Sequence, residues 1–324
     1  MKQKLLKILE NFKNKKILVI GDIMLDKYIW GEVSRISPEA PVQVVNVLKE
    51  TFEAGGAANV ANNIASLDGN SFMVGITGND YSRKILIDEL NSKSINTEGI
   101  FIDKDKPTTQ KVRILGKGQQ LLRVDYENKE HIHHDIENLI IKFVESRIKE
   151  SDVVVISDYA KGVITPEVSR KIISLAKLHK KQIIVDPKPK HKDFYKEVDL
   201  ITPNNNEASE MSGIEDGSDE SVLEIGSQLL KSLDSNILLT RGEKGMSLFE
   251  KGGSITNIPA KAKEVYSLIG AGDTVVATAA LAMASGADLK EAAFLANIAA
   301  GIKVGKIGTA SVTTEEIKAE LENL

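Results

Sequence analysis

The chain has 324 residues, of which 42% are hydrophobic and 27% charged, the balance of an ordinary soluble globular protein. Its net charge of −4 offers no basic field for a nucleic-acid partner, so an anionic ligand would require a local cluster of cations. Cysteine is absent, which excludes a disulfide framework and a thiolate metal site and fits a reducing compartment.

The N-terminal residues 1–16 predict a short amphipathic helix that is rich in lysine. This segment lacks the unbroken apolar core and the small-residue cleavage site of a signal peptide. No apolar run reaches the ~18 residues of a membrane span, and even the stretch 274–286 is interrupted by Ser285 and Gly286. We therefore expect a cytoplasmic protein with no membrane partner.

Short runs rich in valine and isoleucine recur along the chain, and each is followed by a helical pattern. The runs are 17–22, 72–78, 152–158, 182–188, 199–204 and 236–242. Strands of this kind that alternate with helices indicate a parallel sheet covered on both faces. Ligands bind at the carboxyl edge of such sheets. The polar residues expected at that edge are Asp22, Asp158, Asp186 and Asn204.

Two stretches, at about 28–56 and 107–127, break this alternation. Both have the period of strands, with no helix between their strands. We expect them to pair into a small antiparallel sheet that lies over the active edge as a lid. The length of the chain predicts one large domain with such an appendage, rather than two full domains.

The stretch "GAGDT" at 270–274 places one carboxylate, Asp273, at the head of an alanine-rich helix. Aspartate is favoured as an N-cap, so one interpretation is purely structural. The other is a catalytic base beside an anion site, because glycines allow close backbone approach and the helix start offers free N–H groups. An N-cap does not need glycines on both sides of Ala271, whereas a phosphate bound to bare amides does.

Three further stretches carry weaker signals. Asn204 and Glu207 in "TPNNNEA" suit helix caps, but they also suit Mg²⁺ held through water. The stretch 240–245 fits a hairpin turn or a close approach to a nucleotide, and 55–67 fits tight helix packing behind a glycine pair. The chain lacks the spacing of a Walker A loop, of the dinucleotide fingerprint expected of an oxidoreductase, and of a nucleophile elbow.

These four stretches, in this order, resemble the ribokinase-like (PfkB) sugar kinases over nearly the whole chain. "GAGDT" is similar to the C-terminal signature of the family and "GGAANVA" to its N-terminal one. The resemblance implies a ribokinase-like three-layer α/β/α domain with a mostly parallel central sheet and a small β-sheet lid. It implies one kinase domain over residues 1–324, and no nucleotidyltransferase domain is expected because none of the five histidines forms an HxGH motif.

The resemblance also implies a role for each matching residue. Asp273 matches the catalytic base that accepts the proton of the acceptor hydroxyl. The anion hole would consist of Gly270, Ala271 and Gly272. The segment near ATP and Mg²⁺ would consist of Asn204, Asn205, Asn206 and Glu207, with Glu207 reaching the metal through water. The remaining nucleotide contacts would be Thr240, Gly242, Gly245 and Asn297, and the sugar contacts would be Asp26, Gly55, Gly56 and Asn59.

Several phrases are similar to the branch of the family that phosphorylates D-glycero-D-manno-heptose 7-phosphate at its anomeric hydroxyl. They include "SRISPEAPV", "SDYAKG" and "GIKVGKIGTASVT". The resemblance implies ATP and Mg²⁺ as cofactors and a role in ADP-heptose and lipopolysaccharide core synthesis. The alternatives are a kinase for fructose phosphates or a nucleoside, and a non-catalytic sugar-phosphate sensor.

A phosphorylated acceptor needs cations from the lid or from the "SDYAKG" loop. The candidates are Arg35, Lys111, Arg113, Arg123 and Lys161. Many relatives carry an aspartate and a hydroxyl residue before the GAGD motif, where the aspartate helps to bind a monovalent cation. This chain has Ser267 and Ile269 there, which leaves its dependence on a monovalent cation open. The apolar lid stretch "PVQVVNV" predicts an edge strand that needs cover, and hence a homodimer through the lid.

Overall fold

The computed structural model describes residues 2–261, 265–306 and 310–323. Residues 307–309, which belong to the phrase "GIKVGKIGTASVT", lie outside the described part. The strands are β1 (Lys16–Gly21), β2 (Ile23–Ile36), β3 (Gln43–Gly56), β4 (Asn70–Thr77), β5 (Asn96–Ile102), β6 (Gln110–Gly116), β7 (Gln119–Tyr126), β8 (Val153–Ser157), β9 (Gln182–Asp186), β10 (Leu200–Ile201), β11 (Asn236–Thr240), β12 (Met246–Phe249) and β13 (Ile255–Ile258). The helices are α1 (Lys2–Glu10), α2 (Ala57–Ser66), α3 (Tyr81–Ser92), α4 (His134–Arg147), α5 (Pro166–Leu178), α6 (Asn205–Ser212), α7 (Asp219–Leu233), α8 (Ala271–Ala284), α9 (Leu289–Val304) and α10 (Thr314–Glu322).

The large sheet has nine strands in the order β13-β12-β11-β10-β9-β8-β1-β4-β5. All strands from β11 to β5 run parallel to their neighbours, whereas β12 and β13 add an antiparallel edge. Each of the six predicted runs overlaps one of the parallel strands. The mostly parallel central sheet expected from the sequence is therefore confirmed.

Helices cover both faces of this sheet, which makes the domain three layers thick. Alternate residues of β1 show the division, because Ile17 and Val19 join one apolar cluster and Leu18 and Ile20 join the other. The first cluster includes residues of α1, α2, α3, α8, α9 and α10, and the second includes residues of α4 to α7. Within the described residues, no helix is both long enough and apolar enough to cross a membrane.

The smaller sheet is the lid, with four strands in the order β3-β2-β6-β7. The lid begins at Ile23, directly after β1, rather than at residue 28 as predicted. The expectation of a wholly antiparallel lid is wrong, because β2 and β6 pair in parallel between two antiparallel hairpins. The chain enters both hairpins after a strand of the large sheet, and their first strands run side by side in the same direction.

Candidate active site

The N-termini of α2 and α8 meet at the edge of the large sheet beneath the lid. Asn59, in the first turn of α2, donates a hydrogen bond from Nδ2 to Oδ2 of Asp273 over 2.5 Å. The N-cap positions of these helices are Gly56 and Gly270, with φ of 58° and 76°, and neither helix has a side-chain cap. Two uncapped helix starts create a positive potential that suits an anion.

Asp273 is not the N-cap of α8, so the interpretation of this residue as an N-cap is wrong. The N-cap is Gly270, and Asp273 is the third helical residue. Its carboxylate is 7% exposed and accepts a second hydrogen bond, from the Tyr159 hydroxyl to Oδ1 over 2.6 Å. Burial raises the pKa of the Asp273 carboxyl, and the two hydrogen bonds oppose this rise. Two fixed donors orient the carboxylate, and its remaining lone pairs are available to a substrate hydroxyl.

Tyr159 is a site residue that the sequence did not reveal. Burial, and then the charge of Asp273, raises its pKa well above the ordinary value, so the hydroxyl stays protonated and donates. The loop that carries it is fixed by Asp22, whose carboxylate accepts N–H bonds from Tyr159 at 2.8 Å and from Lys161 and Val163 at 3.0 Å. Asp22 therefore lies at the predicted edge, but its carboxylate anchors the loop.

The first turn of α8 has the properties of an anion hole. Within the described chain, the N–H groups of Gly272 and Asp273 have no hydrogen-bond acceptor. A Cβ at Gly272 would meet nothing within 4 Å, so the space in front of this turn is open. A Cβ at Gly270 would lie 2.9 Å from Asn59 Nδ2, and its φ of 76° strains any other residue.

The four predicted nucleotide contacts line one cavity beside this turn. Thr240, Gly242, Gly245 and Asn297 share it with Ala271 and Gly272. The cavity offers about 210 Å³ of water-accessible space between mainly apolar walls. The wall residues include Met246, Val265, Leu268, Val275, Ala300 and Val304. An apolar slot that ends at a helix start suits a nucleotide, whose base fills the slot and whose phosphates reach the amides.

The amide of Asn297 does not point freely into this cavity. Its Nδ2 donates to the carbonyl of Pro259 over 2.8 Å, which ties α9 to the segment after β13. Asn297 thus shapes the wall of the cavity. In the described structure its side-chain nitrogen serves the protein's own backbone.

Asn204 and Glu207 form the capping box of α6, so their structural interpretation is confirmed. Asn204 Oδ1 accepts from the Glu207 N–H at 2.9 Å, and Glu207 Oε2 accepts from the Asn204 N–H at 3.1 Å. Glu207 also forms an ion pair with Lys188, which the sequence did not single out. A backbone bridge joins Asn204 to Thr240, so this helix start adjoins the nucleotide cavity.

The oxygen atoms around Glu207 fit magnesium that is held mainly by phosphate and water. Among the described residues, no group of three or more His, Cys, Asp or Glu side chains forms a metal cage. Asn205 Oδ1 is buried without a hydrogen-bond partner, and burial and the charge of Glu207 raise the pKa of Asp186 well above its usual value. Magnesium takes one or two protein oxygens and keeps waters, which is what this set provides.

The inner face of the lid carries two of the predicted sugar contacts, Asp26 and Gly55. Arg113 donates from Nη1 to Asp26 Oδ1 over 2.5 Å. A Cβ at Gly55 would lie 2.5 Å from Asp26 Oδ2, so glycine makes room for this carboxylate. Asp26 pairs with Lys111 in register, and Lys111 Nζ lies 5.8 Å from the centre of the Tyr159 ring. The lid face therefore leads directly to the tyrosine that holds Asp273.

Four of the five candidate cations lie near one another around Lys111. Burial is the main cause that lowers the pKa of Lys111. The charges of Arg113, Lys161 and Arg123 lie close enough to lower it further. Arg113 pairs with Asp26, Lys161 with Glu127, and Arg123 with Asp125. Lys111 has no ion pair in the described part of the chain.

Arg35 does not belong to this cluster. It is exposed and lies nine residues beyond Asp26 on β2. That separation is roughly 30 Å of extended strand. The structure therefore does not bring the candidate Arg35 together with the other cations.

Comparison with known proteins decides the family. Residues 14–316 match the pfkB family carbohydrate kinases. The chain belongs to this family. The match spans all of the site residues described above, and it identifies the protein as a sugar kinase.

Two relatives and two solved structures place the chain more closely. It is 42% identical over 313 residues to the bifunctional protein HldE of Desulfatibacillum aliphaticivorans, covering 96% of this chain and 64% of the relative. It is 43% identical over 308 residues to the HldE of Helicobacter pylori, covering 94% and 65%. The chain thus spans somewhat under two thirds of the relatives' length.

The fold is that of ribokinase. The Arabidopsis thaliana ribokinase complexed with ribose and ATP aligns with a TM-score of 0.76 at 21% identity, covering 96% of this chain and 99% of that one. Phosphofructokinase-2 of Escherichia coli, solved in complex with potassium, aligns with a TM-score of 0.75 at 20% identity and the same coverage. The ribokinase-like fold and its lid are therefore confirmed.

Proposed function

We propose that this chain transfers the γ-phosphoryl group of ATP to the anomeric hydroxyl of D-glycero-D-manno-heptose 7-phosphate, giving the 1,7-bisphosphate for ADP-heptose and lipopolysaccharide core synthesis. One observation carries the proposal. Asp273 lies between an apolar cavity that ends at free helix amides and a lid face that bears Lys111 and Arg113, with Lys161 on the adjoining loop 159–163. The identity to HldE proteins supports the choice of acceptor.

The transfer follows from this geometry. Asp273 accepts the proton of the acceptor hydroxyl while the hydroxyl oxygen of the sugar forms a bond to the γ-phosphorus. The bond from that phosphorus to the bridging oxygen breaks, and ADP leaves with the electron pair. The N–H groups of Gly272 and Asp273 stabilise the charge on the moving phosphoryl group. Glu207, through water, and the phosphates would hold magnesium, which would neutralise part of the phosphate charge.

The lid gives the acceptor its second point of attachment. A sugar 7-phosphate carries about two negative charges that need cations. Lys111 is the available cation, since Arg113 and Lys161 already pair with Asp26 and Glu127. Closure of the lid over the site excludes the water that would otherwise hydrolyse ATP.

Product analysis tests the proposed acceptor position. Phosphorus NMR of the reaction with ATP and heptose 7-phosphate is expected to show a new phosphate signal that couples to the anomeric proton. A new phosphate on any other carbon would contradict the proposal. A new signal only with a fructose phosphate or a nucleoside would favour the alternative acceptors.

Replacement of Lys111 by Met is expected to weaken binding of the phosphorylated acceptor. The loss of one charge-assisted contact is worth about 1.5–3 kcal/mol, or roughly a tenfold to hundredfold rise in KM. The kcat/KM for an unphosphorylated heptose should change by a much smaller factor. The matched control is Lys49→Met, since Lys49 is a lid lysine that lies 5.2 Å from the centre of the Trp30 ring. Equal losses for both sugars would remove Lys111 from phosphate recognition.

The lid edge also predicts a homodimer. β3 is an edge strand, and the aliphatic side chains on and beside the lid that are more than half exposed are Ile36, Val42, Val47, Leu48 and Leu122. Such an edge needs cover. Sedimentation velocity is expected to give twice the chain mass of 35.3 kDa, and Leu48→Lys should shift this toward the monomer. The control is Leu178→Lys on α5, a leucine of similar exposure. A monomeric wild type at working concentration would refute the dimer.

A further inference from the structure

Lys303 is a fully buried lysine behind the catalytic turn. It lies in the last turn of α9 and is 1% exposed. Burying an ammonium group costs several kcal/mol unless its surroundings compensate. An apolar residue of similar length would avoid this cost, so the presence of a lysine here indicates that its charge has a role.

The side chain of Lys303 lies directly beside the turn that carries Asp273. Its Cε is 3.5 Å from the point where a Cβ at Gly270 would lie, and Asn59 Nδ2 is 2.9 Å from that same point. The backbone makes the same connection, because the N–H groups of Tyr266 and Ser267 donate to the Val304 carbonyl at 2.7 and 3.2 Å. The segment that leads into α8 therefore rests on the turn that holds Lys303.

The charges around Lys303 come from three elements. Glu53 lies near the end of the lid strand β3, Asp273 on α8 and Lys306 just after α9. Burial lowers the pKa of Lys303, and the two acids oppose that effect while Lys306 adds to it. The Nζ donates a hydrogen bond to the Ala310 carbonyl over 3.0 Å. The ammonium is thus held in place and is electrostatically linked to Asp273.

We propose that Lys303 is a positioning residue for phosphoryl transfer, whose buried ammonium is a fixed positive charge behind residues 270–273. This charge favours the ionised form of Asp273 and the anionic phosphoryl group that arrives at the same turn. The inference rests on the proposed role of Asp273 as the base. It adds a residue of α9 that does not line the cavity beside the turn and to which the sequence analysis gave no role.

A purely structural role of Lys303 would predict different results from a role of its charge. Substitution of Lys306 is the matched control for the structural role. Lys306 holds the same following segment, because its Nζ donates to the Ser311 carbonyl at 2.6 Å and pairs with Glu316 at 2.7 Å. It lies three residues further on and is more exposed than Lys303. A lysine that only tethers this segment should behave like Lys306, whereas a fixed charge behind Asp273 should not.

The test compares Lys303→Met with Lys306→Met, using ATP and the acceptor that the wild type turns over best. Met keeps the apolar stem of the lysine and removes the charge. We expect K303M to lower kcat about tenfold, less than the loss of a direct oxyanion-hole donor. The substitution leaves the Ala310 carbonyl without its donor, so the thermal midpoint should fall, and kcat is therefore compared per folded enzyme.

The pH profile separates charge from packing. Loss of a nearby positive charge disfavours ionised Asp273, so the acid limb of kcat/KM should move to higher pH in K303M. K306M should keep both the rate and the acid limb of the wild type. In Lys303→Ala, added methylammonium chloride should restore part of the activity, and sodium chloride at equal ionic strength should not.

Two results would overturn the inference. One is a K303M enzyme with the rate and acid limb of the wild type. The other is a loss of rate in K303M that follows a loss of folded protein while the acid limb stays in place. Failure of the proposed function is distinguishable, because a fully active Asp273→Asn enzyme would refute the base itself whatever Lys303 does.

Discussion

Replacement of Asp273 by Asn is expected to lower kcat by a factor of about 10² to 10⁴, the usual contribution of a general base. Asparagine keeps the size of the side chain and can still accept from Tyr159 or Asn59. It cannot accept the proton of the acceptor hydroxyl. ATP binding should be nearly unchanged, because the cavity is lined by Thr240, Met246 and the apolar residues of α8 and α9 rather than by Asp273. Steady-state kinetics and calorimetric titration with ATP measure the two effects separately.

The pH dependence gives a second readout for Asp273. Burial raises the pKa of its carboxyl, and the base must be ionised, so wild-type kcat/KM should fall as pH drops through this raised value. The matched control is Asp288→Asn, the same substitution at the N-cap of α9, where the side chain is exposed. A D273N enzyme that retains near wild-type turnover would contradict the mechanism, because another group would then have to accept the proton.

Replacement of Asp22 by Asn is expected to destabilise the fold by about 3 kcal/mol, in the range for removing one partner of a buried charged network. The Asp22 carboxylate accepts three backbone N–H groups of the loop 159–163. An amide can offer only one acceptor atom, so its NH₂ group would face at least one of these N–H donors. Relief of the repulsion from Asp158 offsets part of the loss. Urea unfolding measures the difference, and kcat should fall as well because the loop carries Tyr159.

The sign of the pH effect on Asp22 is fixed by its pKa. Burial, and then the charge of Asp158, raises the pKa of Asp22 from its ordinary value of 3.8 to about 6 in the folded chain. The folded state therefore binds this proton more tightly than the unfolded state does. The resulting stabilisation is fully present below pH 3.8 and disappears as pH rises through about 6.

D22N should lack this component of the stability profile. The matched control is Asp152→Asn, because Asp152 accepts a single backbone N–H, that of Lys16, at an exposed position. A D22N protein as stable as the control across this range would contradict the anchoring role of Asp22.

The strands of the large sheet could be predicted because buried parallel strands are continuous apolar runs. The runs at 17–22 and 152–158 became β1 and β8 with shifts of one residue at either end. β5 was missed because its sequence, "NTEGIFI", is half polar, as an edge strand allows. The lid strands could be predicted from their period. No local signal sets the direction in which two separate hairpins pair, so the parallel contact between β2 and β6 was missed.

The site residues also divide into those that the sequence indicated and those that only the structure revealed. Asp273, Asn59 and the glycines lie in contiguous motifs, so the sequence indicated them directly. Tyr159 and Lys188 act through partners that are 114 and 19 residues away, and such pairs exist only once the strand ends are brought together. Asp22 was predicted at the correct edge. Its use as a backbone anchor depends on the path of a loop more than 130 residues later, which no spacing rule supplies.

The measurement that tests the central claim most directly is coupled ADP release with a panel of acceptors. Heptose 7-phosphate, fructose 1-phosphate, fructose 6-phosphate and a nucleoside are compared at equal ATP and Mg²⁺, with D273N as the control for hydrolysis. We expect heptose 7-phosphate to give the highest kcat/KM and D273N to lose that activity. A higher kcat/KM for any other acceptor would contradict the proposed substrate, and ADP release by D273N at the wild-type rate would contradict the proposed base.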